Sequence, residues 1–233
     1  MDAGDEAGED GDMSGVDHEL EAMSDEGRRL WATALDLARS RLPVTRRALP
    51  PLLFITDPVR TPEPWITAAR LPSGSGVIYR HFGAAGAVET ARRLRAATGR
   101  RNVRLLIGND EEMAAAIGAD GVHLPQARLD EAGAVRRRLP DGLLTAAFHA
   151  GAMVGDEAIR ALDAVVVSPV FTAGGQSPKR PELDPEGLAA VAATLPLPVY
   201  ALGGISTENA SRLIGTGACG IAAVDGIVSA FGD

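Results

Sequence analysis

From Leu52 onward the chain alternates between short runs that are apolar throughout and longer stretches in which apolar residues return every three or four positions. The first kind fits strands buried on both faces, the second helices lying over them. The runs predict strands at Leu52–Thr56, Gly76–Phe82, Val103–Ile107, Gly121–Leu124, Leu143–Phe148, Ala164–Val167, Pro198–Leu202 and Gly220–Val224. Helices are expected between them at Pro64–Ala69, Ala87–Ala97, Asp110–Ile117, Leu129–Leu139, Ala150–Leu162, Pro185–Leu195 and Thr207–Ile214, with a last short one ending at Phe231. Strand–helix units spaced about 22 to 25 residues apart predict an α/β protein, a (β/α)8 TIM barrel over residues 52–233. A doubly wound sheet is the alternative, and the even spacing argues against it. The joints Ile117–Val122 and Thr216–Ile221 resemble each other and lie 99 residues apart, close to half a barrel.

Upstream, Leu30, Trp31, Ala34, Leu35, Leu37 and Ala38 recur at helical spacing. They predict an extra N-terminal helix over 28–41, within a segment 28–51 that packs beside the barrel and ends in Pro-rich linkers. Residues 1–27 hold 11 of the 31 acids and no Lys or Arg, and are expected to be a disordered acidic leader. The net charge of -8 is therefore uneven. The remainder has 20 acids against 23 bases, a slight basic excess of +3. That body suits a small anionic substrate and has no basic stripe for nucleic acid. No apolar run is long enough to span a membrane and no signal pattern opens the chain, so a cytoplasmic location is expected. Cys219, the single cysteine, reads as a packed thiol. The oligomeric state stays open, a homo-oligomer included.

In such a barrel the ligand site lies where the strands end. The residues at those ends that could meet a ligand are Asp57, then Tyr79, Arg80 and His81, then Asn109 and Asp110, then His123 and Gln126, then His149, then Ser168 and Thr172, then Gly203, Gly204 and Ser206, and finally Asp225–Gly226, with Val224 opening that segment. The loop after the sixth strand also carries Lys179, the only lysine. His123, flanked by Val122 and Leu124, reads as a core histidine. Leu202–Thr207 reads as a phosphate cradle, with glycines that let backbone approach a ligand and Ser206 or Thr207 capping the next helix. A tight turn would want the same glycines. Asp110 suits either a Mg²⁺ ligand or the N-cap of the third helix, and the cap is preferred on sequence grounds.

The order of these segments resembles the thiamine phosphate synthase and thiazole tautomerase family over roughly Leu52 to Val228. The carriers are Leu53–Asp57, Asn109–Asp110, Gly118–Leu124, His149, Ser168–Phe171, Ala201–Ile205 and the Val224 segment. The resemblance implies a transferase of thiamine biosynthesis that joins a pyrimidine methyl diphosphate to a thiazole phosphate, releases pyrophosphate and uses Mg²⁺. It implies that Arg80, Asn109 and Lys179 bind the diphosphate, Asp110 the metal, and Gly203–Gly204 with the loop after Val224 the thiazole phosphate.

The chain departs from the family pattern in several places. Ile78 and Phe82 stand where the family has Gln and Lys, Arg128 where it has a metal-binding Asp, and Ala147 or Phe148 where it has Ser before His149. Two further readings follow. A thiazole tautomerase would use His149 as acid and base. A non-catalytic binder would keep the phosphate cradle alone. Arg128 could also supply charge in place of the second metal carboxylate.

Overall fold

In the computed structural model the described residues are 21–40, 47–172 and 180–232. The bulk of the acidic leader, the linker over 41–46 and Lys179 lie outside the described residues. Helix α1 spans Asp25–Ser40, starting three residues earlier than expected. It buries Leu30, Trp31, Ala34 and Leu37.

The barrel runs β1 (Leu52–Ile55), α2 (Pro64–Ala68), β2 (Gly76–Tyr79), α3 (Ala87–Gly99), β3 (Arg104–Gly108), α4 (Glu111–Ile117) and β4 (Gly121–Leu124). It continues with α5 (Ala132–Arg138), β5 (Leu143–Phe148), α6 (Asp156–Ala161), β6 (Ala164–Val167), α7 (Asp184–Thr194), β7 (Val199–Leu202), β8 (Gly220–Ala223) and α8 (Asp225–Phe231). All strand pairs are parallel, and β8 pairs with β1 to close the barrel in sequence order. The even spacing of apolar runs thus reports a closed (β/α)8 barrel, not an open sheet.

Alternate residues of each strand divide the core in two. Leu53, Ile55, Ile78, Leu106, Leu143, Val166, Tyr200 and Ala222 fill the barrel, while Phe54, Val77, Leu105, Val122 and Val165 face the helices. Both sets are buried, which is why the strands read as unbroken apolar runs.

The joint before β4 shows how a short motif closes a unit. Gly118, at φ +63°, ends α4 with its N–H donating to Ala114 and Ala115 carbonyls. The Asp120 carboxylate then accepts from the Leu105 N–H (2.7 Å) and from Arg95 (2.7 Å), tying the turn to β3. Asp163 repeats the device before β6, taking the Leu144 N–H at 2.8 Å and Arg136 at 2.6 Å.

Three expected helices of the barrel differ, and β2 ends at Tyr79 instead of Phe82. The stretch over Leu129–Leu139 begins as a 3₁₀ turn over Gln126–Glu131, and only Ala132–Arg138 is α-helical. Helix α6 starts at Asp156, because Gly151 at φ +85° turns the chain after His149. After β7 the regular structure is a 3₁₀ turn over Ala210–Leu213.

Candidate functional site

Strand pairing fixes which side chains point into the barrel mouth. Ile55 pairs with Ile78, Ile78 with Leu106, Gly108 with His123, and His123 with Thr145. Two residues beyond Ile78 the next inward position is Arg80. Two residues beyond Ala147 it is His149, and two beyond Val166 it is Ser168. Ile78 and Ala147 therefore make the barrel interior apolar just below Arg80 and His149.

Arg80 is anchored at its base. Its backbone N–H donates to Thr56 Oγ1 (3.0 Å) and its Nε–H to the Thr56 carbonyl (2.9 Å). Its two terminal NH₂ groups have no hydrogen-bond partner among the described residues, and the guanidinium lies 5.4 Å from the Phe82 ring centroid. Burial weakens its hold on the proton, partly offset by Asp57. A guanidinium nonetheless stays charged at neutral pH. Phe82 itself is 73% exposed and sits at φ +47°, so β2 ends before it at Tyr79. Tyr79 faces the helix layer, where its hydroxyl donates to the Ala87 carbonyl at 3.2 Å. With Thr56, Asp57, Arg80 and neighbouring loop residues it lines a cavity of about 110 Å³.

His123 is 7% exposed and pairs through Nδ1 with Thr145 Oγ1 at 2.9 Å. Burial first, and the Arg80 charge second, push its pKa down to about 3. It is a neutral core histidine at physiological pH.

The rim after β3 and β4 is a charge network. Asp110 caps α4, taking the Met113 N–H at 2.8 Å, and its other oxygen faces His81 Nε2 at 3.5 Å. The Gly83 N–H donates to His81 Nδ1 at 3.1 Å, so the proton sits on Nε2, toward Asp110. Arg128 NH1 donates to Asn109 Oδ1 (2.8 Å) and Glu111 (3.1 Å), and NH2 to Glu111 (2.8 Å) and Glu131 (2.7 Å). Its Nε donates to Glu131 at 2.9 Å, and Arg138 adds a bond to Glu111 at 3.1 Å. Arg128 thereby lowers the Glu111 carboxyl below its usual range, and the two carboxylates strengthen the hold of Arg128 on its proton. Neither Glu111 nor Glu131 was singled out by sequence, although the i, i+3 spacing of Arg128 and Glu131 was a visible signal.

At β5 and β6, His149 Nδ1 lies 2.8 Å from the Ser168 carbonyl and 3.3 Å from Ser168 Oγ. A carbonyl only accepts, so Nδ1 carries a proton and Nε2 is the nitrogen left to exchange one. The His149 N–H donates to the Gln126 side chain at 2.7 Å. Thr172 donates to Glu182.

The β7–β8 end is made of backbone. Gly203 and Gly204 have φ of +109° and +61°, in the left-handed region that glycine tolerates. A Cβ on Gly204 would lie 2.2 Å from the Thr172 carbonyl oxygen, and one on Gly203 2.8 Å from Pro169 Cα. The loop after β6 seats here, with Val170 and Phe171 N–H groups donating to Leu202 and Gly203 carbonyls at 2.9 and 3.0 Å. The glycines thus serve a loop-to-loop contact whether or not a ligand is bound. The expected Ser206 or Thr207 cap is not what holds this turn. Asn209 spans it, accepting from Ser206 N–H (2.9 Å) and donating to the Gly204 carbonyl (2.8 Å), while the Ser206 hydroxyl donates to Glu208. Val224 is buried, and Asp225, which opens α8, pairs with Arg60 at 2.8 Å. Arg60, another residue not singled out by sequence, also faces Asp57 at 3.6 Å. Burial raises the Asp57 carboxyl, but N–H donors of Arg60 and Val59 and the charges of Arg60 and Arg80 outweigh it and leave it below its ordinary value.

Residues 52–227 match the family model described as thiamine monophosphate synthase. The chain belongs to that family. The thiamine-phosphate synthase of Chlorobium luteolum is 34% identical over 188 residues, covering 78% of this chain and 86% of that protein. The thiamine-phosphate synthase of Chloroflexus aurantiacus is 32% identical over 171 residues, 71% and 77% of the two chains. That of Methanoculleus marisnigri is 37% identical over 131 residues, a match that spans 59% of its length. Among solved structures, thiamine phosphate pyrophosphorylase from Pyrococcus furiosus superposes with a TM-score of 0.59 at 22% identity, over 77% of this chain and 91% of that one, a likeness of fold.

Mg²⁺, which the family resemblance implies, prefers one or two carboxylates together with substrate phosphate oxygens. The residues at the β3–β4 rim of this thiamine monophosphate synthase family member do not fit it. Asp110 spends one oxygen on its cap and faces a proton-bearing nitrogen with the other. Glu111 and Glu131 are held by arginines, and Asn109 Oδ1 is turned to Arg128. Among the described residues no helix is long and apolar enough to cross a membrane.

Proposed function

We propose that the protein is a thiamine phosphate synthase-like transferase that joins a pyrimidine methyl diphosphate to a thiazole phosphate. The observation that carries this reading is the family match over residues 52–227, nearly the whole barrel. Relatives named thiamine-phosphate synthase at 32–34% identity over most of their length support an enzyme of thiamine biosynthesis.

The chemistry suits the groups at the mouth. The bond from the methylene carbon to the diphosphate oxygen breaks, and its electron pair leaves with pyrophosphate. The thiazole nitrogen then gives its lone pair to the methylene carbon, so the product ring carries a positive charge and no proton need move. Arg80, whose two NH₂ groups have no hydrogen-bond partner among the described residues, would stabilise the departing charge, as would Asn109 and Lys179. The thiazole phosphate would rest on Gly203–Gly204 and the first turn of α8, whose leading N–H groups have no intrahelical acceptor. Ser168, Thr172, Ser206 and Val224 would face the two rings. Holding the partners in line is the rest of the catalysis.

A second reading is favoured by one contact. With Nδ1–H committed to the Ser168 carbonyl, His149 presents Nε2 as a proton carrier, which is what a thiazole tautomerase needs.

The deciding experiment is turnover with both substrates, in EDTA and in Mg²⁺, on wild type and on the Arg80→Met and His149→Ala variants. Thiamine phosphate formed by wild type and lost in Arg80→Met supports the transferase. No coupling, with proton exchange on the thiazole phosphate that disappears in His149→Ala, overturns it in favour of the tautomerase. Thiazole phosphate binding with neither activity overturns both in favour of a binder.

A further inference from the structure

The rim beyond β3 and β4 brings two carboxylates, Glu111 and Glu131, and the Asn109 amide oxygen to one point, and the carboxylates need a counter-charge. The chain supplies that charge itself. A guanidinium has five N–H donors, and at Arg128 each has an acceptor: Nε–H on Glu131, one NH1 hydrogen on Asn109 Oδ1 and one on Glu111, one NH2 hydrogen on Glu111 and one on Glu131. Arg138 adds a second cation on Glu111. Two arginines thus stand against these two glutamates, with Asp110 and Glu112 as further carboxylates of the adjoining cavity.

A saturated Arg128 has no N–H left for a phosphate. Its effect passes through Asn109. A guanidinium can only donate, so the Asn109 amide must turn its oxygen to Arg128, and its Nδ2–H₂ group is left facing away. Asn109 is held there by its own backbone, at φ +57° with its N–H on the His123 carbonyl at 2.9 Å. A metal would draw the amide oxygen toward a ligand. The guanidinium makes Asn109 a donor to anions instead. The cavity of about 390 Å³ lined by Asn109, Asp110, Glu111, Glu112 and Arg138 holds three carboxylates against one arginine, and Arg128 brings a second cation against Glu111, which lessens its repulsion of a diphosphate.

We propose that Arg128 is a built-in replacement for the divalent ion: it neutralises Glu111 and Glu131 and orients Asn109, so that the site binds a diphosphate without Mg²⁺. Arg128 is a positioning residue in this scheme. The inference rests on the proposed reaction only for the class of anion, an inorganic or organic diphosphate.

The test is pyrophosphate binding by calorimetry on the full chain, in EDTA and in excess Mg²⁺, with Mn²⁺ binding followed by electron paramagnetic resonance. Wild type should bind pyrophosphate in EDTA, change its affinity by less than about threefold in Mg²⁺, and hold no Mn²⁺. Arg128→Asp should lose about tenfold or more in EDTA, recover in Mg²⁺, and gain a bound Mn²⁺. Those changes are of the size expected when one partner of a close charge pair is reversed. Arg128→Lys keeps the charge with fewer donors, so it should weaken binding while staying indifferent to Mg²⁺, and it answers the question if Arg128→Asp does not fold. Wild-type binding that needs Mg²⁺, a Mn²⁺ ion held by wild type, or no pyrophosphate binding in EDTA overturns the proposal. Metal-free pyrophosphate binding without thiamine phosphate formation would sink the transferase reading and leave this one standing.

Discussion

At the ends of β7 and β8 the barrel offers a ligand little but backbone. Gly203, Gly204 and Gly226 lie against the backbone of neighbouring loops, with a Cβ on Gly226 placed 2.2 Å from the Ile205 carbonyl oxygen. At the ends of β2, β3 and β4 the mouth is made of charged side chains, most of them spent on one another. The two halves tolerate change differently. A glycine packed against carbonyl oxygens has no substitute. A charge can be balanced by a metal, an arginine or a histidine, and at the β3–β4 rim Arg128 balances Glu111 and Glu131. Arg128 sits where the family resemblance implies a carboxylate, and Ile78 and Phe82 sit where it implies polar residues.

The sharpest way to break the contrast is at Gly204. An alanine there meets the Thr172 carbonyl oxygen at 2.2 Å from a backbone at φ +61°. Overpacking and the left-handed conformation together should cost about 3 kcal/mol. Urea denaturation reads this directly. A loss under about 1 kcal/mol would mean that the β6 loop moves aside freely, and the glycines would then have to be explained by a ligand alone.

On the charged side Arg80→Met is the strongest change. It keeps the bulk of the stem and removes the two NH₂ groups. Losing a charge-assisted pair to a phosphate should cost about 2–3 kcal/mol, near 100-fold in affinity. Pyrophosphate binding measures it. Thermal unfolding should move little, because Arg80 contributes one side-chain bond to the fold, at Thr56. An unchanged affinity would remove Arg80 from the anion site and shift attention to the arginine network.

Much of this arrangement was readable before any coordinates. β4, β5 and β6 fall where the apolar runs place them, at Gly121–Leu124, Leu143–Phe148 and Ala164–Val167. Strands buried on both faces leave an unbroken signal. The end of β2 was misplaced because Phe82 looks like one more strand residue, whereas Tyr79 is the last that pairs. The pairing of Asp110 with Met113 follows from a local N-cap rule, and a core role for His123 follows from its apolar neighbours. The contact of Arg128 with Glu111, 17 positions away across a strand, follows from no local rule, and neither does that of Arg60 with Asp225. Charge pairs across barrel loops are set by tertiary structure, and the sequence records the charges without the partners. The glycines carried the opposite ambiguity: their positions were plain, but ligand approach and loop approach demand the same residue.

His123 allows a smaller test that joins the two halves through the barrel interior. Its folded pKa of about 3 lies below the ordinary 6.5, so the unfolded chain binds a proton that the folded chain refuses. The stability it supports is present above pH 6.5 and is lost as pH falls toward 3. Between pH 6.5 and 5, above most carboxylate titration, wild type should lose about 1.5 kcal/mol. His123→Asn should flatten that slope. An equal slope in the variant would show that another group takes up the proton.

The smallest expected effect is at Arg60, where the two halves touch. Its guanidinium pairs with Asp225 at the start of α8 and faces Asp57 at the end of β1. Asp225 is 65% exposed on its side chain, so the pair itself adds no more than about 1 kcal/mol to stability. Its importance is local. An unpaired Asp225 would put a negative charge beside the proposed thiazole phosphate, while Arg60 cancels it. Arg60→Met should therefore leave the unfolding midpoint nearly unchanged and weaken thiazole phosphate by roughly threefold, an effect that shrinks in salt as surface electrostatics do. Asp225→Asn in the same background should restore the affinity, because it removes the charge that Arg60 was cancelling. If the double variant binds no better than Arg60→Met alone, then Arg60 touches the phosphate directly, and the β7–β8 half uses a side-chain cation after all.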